Sequence, residues 1–277
     1  MSSSVSLRYG ELGDQVADVF LPADVDAAGA VPLVLLFHGG FWRAEHDRRH
    51  VEPFARALAQ EAGCAVASVE YRRVGAGGGW PTTLTDTARA VDLLPSLANA
   101  AVGAQIDLSC VAYAGHSAGG HLALWAAARH RLPTGSPGRT DTPPAIRGVL
   151  ALAPTADLAA ADALGSGRGA VAAFLGGNAA AVPDRYAAAD PAVLGAPAGR
   201  TVLVHGTADK TLPITMARSY AAATGATLNE VPGAGHFDVI DPESAAWPVV
   251  VSALRSIIRR PNGRGSVTVT DASMLSP

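Results

Sequence analysis

Cysteine and lysine are both scarce in this sequence. Only Cys64 and Cys110 occur among 277 residues. Two cysteines cannot build the disulfide framework of a small secreted protein, and both lie in apolar stretches where buried free thiols are expected. Lys210 is the only lysine, and the net charge is −3. Because nucleic-acid-binding proteins usually present a basic surface, we expect no nucleic-acid partner.

Long apolar runs are also missing. No stretch reaches the roughly 18 uninterrupted apolar residues that a membrane span needs. The first six residues show no basic segment followed by an apolar run, so no signal peptide is predicted. We therefore expect a soluble, cytoplasmic protein with no membrane partner. At 49% hydrophobic and 16% charged residues the chain is not typical of disorder, and its length is enough to bury one large core.

Short apolar runs alternate with longer amphipathic segments from residue 31 onward. This alternation is typical of βαβ units around a parallel sheet. Two extended runs at 6–10 and 15–21 precede these units and are predicted to pair as a hairpin. The remaining predicted strands are 32–37, 64–71, 110–114, 146–153, 202–205 and 227–231, and the predicted helices are 47–62, 83–97, 118–130, 213–223 and 243–259.

The domain organisation follows from where this alternation weakens. Residues 1–260 are predicted to form a single α/β domain. Within it, residues 154–199 are rich in alanine and glycine with weak periodicity, and an insertion of that length is often a functional lid. Residues 261–277 have no amphipathic period and are expected to be a flexible tail.

One short motif carries a nucleophile. Gly115-His116-Ser117-Ala118-Gly119 lies between an apolar strand and a helix, which is the context of a nucleophile elbow. The serine must occupy a sharp strand-to-helix turn, and glycines two residues before and after it remove side chains that would collide there. We therefore predict Ser117 as a catalytic nucleophile.

A second motif follows the predicted strand 32–37. Small residues at its end let backbone N–H groups approach a substrate carbonyl and stabilise an oxyanion. We predict the oxyanion hole from the amides of Gly40 and Ala118, with Gly39 or Phe41 as a third donor. His38 is expected to brace this loop.

A serine nucleophile needs a base, and the base needs a carboxylate that fixes its tautomer. In an elbow of this kind the chain order is serine, acid, histidine. Asp209 and His236 each follow a predicted strand in that order and complete the predicted catalytic set with Ser117. The rival acids are Asp157, Asp238 and Asp241, and the rival bases are His116 and His205.

Aromatic residues make up only 5% of the chain, so their positions matter. Several of them, with two histidines, are predicted to line a substrate pocket, with ordinary packing as the alternative for the aromatics. His46 and His50 are spaced like a metal-binding pair, but no third ligand is apparent, so we predict no metal site. The predicted pocket residues are Phe41, Trp42, Trp80, His116, His121 and Phe237.

Together these motifs resemble the α/β-hydrolase superfamily. Within it, the sequence looks like the branch of kynurenine formamidases (arylformamidases) and small carboxylesterases. Formamidases tend to carry tyrosine where this chain has Phe41. The motifs are HGGFW at 38–42, EYR at 70–72, GHSAGGHLA at 115–123, FLGG at 174–177, HGTAD at 205–209 and GHFD at 235–238.

The resemblance implies an α/β-hydrolase fold with a mostly parallel, eight-stranded sheet flanked by helices. From the residues we expect a serine hydrolase that works through an acyl-enzyme, without a cofactor. The resemblance implies that it cleaves a small carboxylic ester or aryl-formamide. Its partner is then a small-molecule ester or amide. Two alternatives remain. One is a biosynthetic thioesterase, acyltransferase or cyclase with the same three residues, and the other is a non-catalytic receptor on this fold.

Overall fold

The computed structural model describes residues 4–23, 29–103 and 105–259. Eight strands form one sheet in these residues. The predicted tail at 261–277 lies outside the described residues. The strands are β1 (Ser4–Arg8), β2 (Val16–Phe20), β3 (Val31–Phe37), β4 (Ala65–Val69), β5 (Ile106–His116), β6 (Gly148–Leu152), β7 (Arg200–Gly206) and β8 (Thr227–Val231).

The sheet has the order β1-β2-β4-β3-β5-β6-β7-β8. The predicted hairpin is present, since β1 and β2 pair antiparallel, and β2 is also antiparallel to β4. All other pairs are parallel. The central strands are apolar on both faces because helices cover both faces, which confirms the predicted mostly parallel, eight-stranded α/β sheet.

Helices flank the sheet in two layers. α1 (Glu52–Ala62) and α9 (Trp247–Ile258) bury their apolar faces in a cluster on one side of the sheet. α2 (Thr82–Ala101), α3 (Ala118–Ala127) and α8 (Ile214–Thr224) pack on the other side. A residue near the carboxyl end of any parallel strand therefore reaches the same edge of the sheet.

Some boundaries differ from the sequence-based expectation. The predicted helix at 118–130 ends at Ala127 and gives way to a 3₁₀ turn, Arg129–Arg131. The last helix starts at Trp247 because Pro248 stands in its first turn, where a missing N–H does no harm. Cys64 and Cys110 are buried free thiols, as expected.

The segment 154–199 consists of short helices connected by turns. Its inner face is buried against the main body, with Phe174 and Leu175 fully covered. The backbone N–H of Trp80 donates to the carbonyl of Phe174 at 2.8 Å. A lid role for this segment stays a prediction. Its helices are α4 (Leu158–Ala163), α5 (Ala170–Leu175), α6 (Pro183–Ala189) and α7 (Pro191–Leu194).

Among the described residues, the helices are too short or too polar for any of them to span a membrane.

Candidate active site

Ser117 occupies the sharp turn between β5 and α3. Its backbone has φ 54° and ψ −116°, a conformation that a residue with a side chain rarely adopts. Three bonds hold the turn: the Ser117 N–H donates to Leu152 O at 2.9 Å, and its carbonyl accepts from the amides of His121 and Thr155. Strain of this kind persists only where the surroundings enforce it, and it is concentrated at functional sites.

The glycines around Ser117 allow this turn to pack. A side chain at Gly115 would collide with the backbone of Gly119, and one at Gly119 would collide with the carbonyl of Phe37 in β3. At Gly120 a Cβ would lie 2.8 Å from the Cβ of Pro154. Each glycine therefore marks a close backbone approach, as the sequence motif predicts.

The loop after β3 lies directly against the serine. A Cβ on Gly39 would be 3.0 Å from His116 Nδ1 and 3.3 Å from Ser117 Cβ. Gly40 has φ 110°, and a side chain there would overlap the ring of His46. Glycine is thus required at both positions for the loop to lie against Ser117.

His38 orients the first peptide of this loop. Its Nδ1 lies 2.7 Å from the carbonyl oxygen of Gly39, and its Nε2 lies 3.0 Å from Oε1 of the buried Glu70. Because a trans peptide points its N–H opposite its carbonyl, this contact turns the Gly40 N–H away from His38. The Ala118 N–H, at the start of α3, has no carbonyl within the helix to bond and is available to an oxyanion.

His236 and Asp209 meet beyond the ends of β8 and β7. His236 Nδ1 donates to Asp209 Oδ2 at 2.6 Å. The other carboxylate oxygen, Oδ1, accepts the amides of Thr211 and Leu212, both at 2.8 Å. Burial alone would raise the pKa of Asp209, but hydrogen bonds from His205, His236 and Leu212 outweigh it and hold the pKa well below its ordinary range.

Gly206 lets these two loops approach one another. A Cβ at Gly206 would overlap the carbonyl of Ala234 in the loop that carries His236. The loops are also joined by bonds from Ala208 N to Ala234 O at 2.9 Å and from Gly233 N to Thr207 Oγ1 at 2.9 Å. The glycine in the HGTAD motif therefore helps to bring Asp209 close to His236.

The rival acids have other partners. Asp157 caps α4 by accepting the Ala160 amide at 2.7 Å. Asp238 Oδ2 accepts the Gly235 amide at 2.7 Å, and Asp241 Oδ1 accepts the Glu243 amide at 2.9 Å. All three carboxylates serve local turns or helix caps.

A cavity of about 220 Å³ opens at Ser117 and His236. Of the six predicted pocket residues, Phe41, His116 and Phe237 lie in its wall. Phe41 points there from a strained turn, with φ 54°. The complete lining is Gly40, Phe41, His46, His50, His116, Ser117, His236 and Phe237.

The structure places the other three predicted pocket residues elsewhere. Trp42 turns inward and is 1% exposed, because its ring stacks on Phe174 with centroids 4.6 Å apart. His121 is fully buried and Nε2 donates to the Ala189 carbonyl at 2.9 Å. Trp80 borders a separate surface cavity beside Arg185. These three residues therefore do not line the cavity at Ser117 and His236, contrary to the prediction.

His116 faces His236. Its Nε2 donates to the backbone carbonyl of His236 at 2.9 Å, and the two rings lie 4.7 Å apart. Burial, together with the nearby His236, lowers the pKa of His116 to about 3. His116 is therefore neutral near pH 7, so it stabilises the loop that carries His236 without adding a charge.

Sequence reasoning missed the role of His46 and His50 in the cavity wall. It considered them only as a candidate metal pair, which it did not favour, and among the described residues no cluster of three histidine, cysteine or acidic side chains forms. Their rings lie 5.8 Å apart, and His50 Nδ1 donates to the Asp47 carbonyl at 2.6 Å. Their position just after the HGGFW motif was the available indication, since that loop folds back over the serine.

A larger surface depression of about 550 Å³ lies at the opposite edge of the sheet. It is bordered by Pro32, at the start of β3, and by Arg255 and Ile258 of α9. A size comparison alone would favour it, but it contains none of the chemistry described above. The smaller cavity combines the hydroxyl of Ser117 with the imidazole of His236, which is paired with a carboxylate, and these are groups that nucleophilic acyl chemistry requires.

Two curated relatives align with part of the chain. LipM of Mycobacterium tuberculosis (strain ATCC 25618 / H37Rv), described as a probable carboxylic ester hydrolase, is 30% identical over 133 residues, 48% of this chain and 30% of LipM. The non-reducing polyketide synthase Preu3 of Preussia isomera is 35% identical over 130 residues, 44% of this chain. The matches span 5% of Preu3 and 30% of LipM.

Solved structures share the fold. A truncated carbohydrate esterase from gut microbiota superposes with a TM-score of 0.74 at 21% identity, over 92% of this chain and 95% of the other. A bacterial heroin esterase superposes with a TM-score of 0.71 at 23% identity, over 93% and 85%. The BD-FAE family model matches residues 17–223, about three quarters of the chain. The chain therefore belongs to the BD-FAE family, within the α/β-hydrolase superfamily.

Proposed function

We propose that this protein is a serine hydrolase that cleaves carboxylic esters with a small acyl group. The observation that carries the proposal is the 2.6 Å bond between His236 and Asp209, beside the cavity that Ser117 and His236 share. The bond leaves His236 Nε2 as the ring nitrogen that can take a proton. The names of LipM and of the esterase structures support the same reaction class.

The reaction begins with attack by Ser117 Oγ on the ester carbonyl carbon, while His236 Nε2 takes the hydroxyl proton. Asp209 stabilises the imidazolium that forms. The oxyanion accepts hydrogen bonds from the amides of Gly40 and Ala118, with Gly39 or Phe41 as a third donor. Each such donor contributes on the order of 3 kcal/mol to the transition state.

Collapse of the tetrahedral intermediate expels the alcohol, which receives the proton from His236, and leaves the acyl group on Ser117. A water molecule then attacks the acyl-enzyme, with His236 again as the base. The carboxylic acid leaves and the serine regains its proton. No cofactor takes part in this scheme.

The size of the cavity supports a small acyl group. About 220 Å³ is below the usual range of drug-sized binding pockets, roughly 300–1,000 Å³. Phe41 and Phe237 supply apolar wall, so a short aliphatic acyl group fits better than a charged one. A formyl group is smaller still, and an aryl-formamide remains the closest competing substrate within this reaction class.

The similarity to the polyketide synthase Preu3 supports a second candidate function. In it, Ser117 accepts an acyl group from a biosynthetic thioester and passes it to water or another acceptor. A polyketide chain is much larger than the cavity, so this candidate requires the segment 154–199 to leave room for it.

One kinetic comparison tests these functions. We would measure kcat/KM on p-nitrophenyl acetate, p-nitrophenyl octanoate, N-formylkynurenine and an acyl thioester, with Ser117→Ala as the control. We expect the acetate to be the best substrate and Ser117→Ala to lose about 10⁴-fold in kcat with an unchanged melting temperature. Full turnover by that variant, or a preference above about 100-fold for the formamide or the thioester, contradicts the proposal.

A further inference from the structure

His205, at the end of β7, belongs to the same hydrogen-bond network as the acid and the base. Its side chain is fully buried, as is that of Asp209. Nε2 of His205 lies 3.1 Å from Asp209 Oδ2, the same oxygen that accepts the bond from His236. Nε2 also lies 3.0 Å from the carbonyl of Leu212. One carboxylate oxygen is therefore shared by two imidazoles.

The partners of His205 define its tautomer. A carboxylate oxygen and a carbonyl oxygen are both acceptors, so Nε2 has to carry the hydrogen. Nδ1 is buried and has no hydrogen-bond partner in the protein. A buried polar atom without a partner destabilises a protein, and an aliphatic residue of similar size would avoid that penalty. An imidazole at this position therefore needs a reason that packing does not supply.

We propose that His205 is a positioning residue for the proposed reaction: its Nε2–H holds the Asp209 carboxylate in the orientation that aligns His236 with Ser117. The idea rests on the proposed function of those three residues. Asp209 follows β7 on a turn, and its Oδ1 is already held by two amides. His205 secures the remaining oxygen with a second donor, so that the carboxylate cannot rotate away from His236.

His205 also weakens the attraction between the negative charge of Asp209 and a protonated His236. A hydrogen bond to a carboxylate stabilises its ionised form and lowers its affinity for a proton. With a second donor on Oδ2, Asp209 attracts the His236 imidazolium less strongly. The other titratable groups around this network are His116, facing His236 from the elbow, and Glu230 of β8, which interacts with His205.

Two substitutions separate this role from packing. His205→Gln keeps a donor, because the glutamine amide can place an N–H near the position of Nε2, whereas His205→Leu fills similar space with no donor. For His205→Leu we expect kcat to fall 10- to 100-fold with KM little changed, and the acid limb of the kcat/KM profile to move up by about half a pH unit or more. For His205→Gln we expect kcat within about threefold of the parent enzyme.

A merely structural role gives a different pattern. His205→Leu would then lower the melting temperature while kcat and the position of the acid limb stayed at the parent values. That result overturns the proposal, as does a glutamine variant that is as impaired as the leucine variant although it folds.

A spectroscopic measurement needs neither variant and no substrate. Long-range ¹H–¹⁵N NMR of the histidine-labelled full chain, above the pH range where histidines titrate, reports which ring nitrogen carries the proton. We expect the hydrogen of His205 on Nε2 and that of His236 on Nδ1. A His205 ring protonated only on Nδ1 overturns the proposal even if the leucine variant fails to fold. Failure of ester turnover would instead count against the proposed function and leave this measurement unaffected.

Discussion

The ring of Trp42 stacks on the ring of Phe174, with centroids 4.6 Å apart and planes within 8°. Trp42 ends the strained turn that carries Phe41, and both residues have positive φ. Phe174 belongs to the segment 154–199. A second contact joins the same parts, because a side chain at Gly167 would overlap the Phe41 ring. The segment therefore packs against the loop that lies beside Ser117.

From this stack we expect that substitutions at Trp42 and at Phe237 affect different properties, the first stability and the second substrate binding. Trp42→Ala removes a fully buried ring and should lower the free energy of unfolding by about 3–5 kcal/mol. Phe237→Ala removes a ring that is 65% exposed at the cavity, so stability should change by less than about 0.5 kcal/mol while KM for an apolar ester rises. Urea denaturation and steady-state kinetics measure the two effects. Equal losses of stability in the two variants would contradict this assignment.

Asp209→Asn should severely reduce kcat without unfolding the protein. The asparagine oxygen can accept the Thr211 and Leu212 amides, which turns its NH₂ group toward the N–H groups of both His205 and His236. Two donors then face one another, and His236 changes tautomer. We expect kcat to fall by about 10³- to 10⁴-fold, with a melting temperature close to that of the parent. A loss below tenfold would mean that another group orients His236.

Gly40 offers a test of the oxyanion loop. A methyl group at this position meets the His46 ring and also strains the backbone at φ 110°. Gly40→Ala should displace the amide of Gly40 and reduce kcat about 10²-fold. Gly13→Ala is the matched control, because nothing lies within 4 Å of its Cβ position. The prediction fails if both variants retain the parent kcat.

Asp190 is expected to make a pH-dependent contribution to the free energy of unfolding. It is 1% exposed and accepts the Ala159 and Ala192 amides. Burial raises its pKa to about 6, against about 3.9 for an unfolded chain. The folded protein therefore keeps a proton that the unfolded chain has already lost, so this group's contribution to stability falls as pH rises from about 4 to about 6.

The comparison of Asp190→Asn with the parent protein isolates this effect. Asparagine retains the helix-capping oxygen but has no proton to lose, so the variant should gain stability relative to the parent as pH rises through that window. Asp141→Asn is the control, because the Asp141 side chain is 97% exposed. Chemical denaturation at pH 4.5 and pH 7 measures the difference. A stability difference that is the same at both pH values would disprove the raised pKa of Asp190.

Local sequence patterns were sufficient for most of the fold. The alternation of apolar strands with amphipathic helices predicted the parallel sheet, and the hairpin at its edge was predicted from two short extended runs. These features are readable because burial on both faces demands a continuous apolar run and burial on one face demands a helical period. The ends of the helices were harder to predict: the helix predicted at 83–97 continues to Ala101, and the one predicted at 118–130 ends at Ala127.

Part of the candidate site could also be predicted from local sequence motifs. Glycines at 39, 115, 119 and 206 mark close backbone approaches. The chain order of serine, acid and histidine selected Asp209 and His236, and the structure places His236 Nδ1 2.6 Å from Asp209 Oδ2. The directions in which side chains point could not be predicted from the sequence. Two consecutive residues with positive φ send Phe41 into the cavity and Trp42 into the core.

The sequence by itself thus determined the sheet, its flanking helices and the chain order of the residues that meet at its edge. Tertiary structure alone decided which side chains line the cavity, why His46 and His50 are among them, and that His205 shares an oxygen of Asp209 with His236. The physical reason is distance along the chain. Strand and helix patterns are local, whereas the cavity wall is built from loops far apart in sequence whose positions depend on how the whole sheet packs.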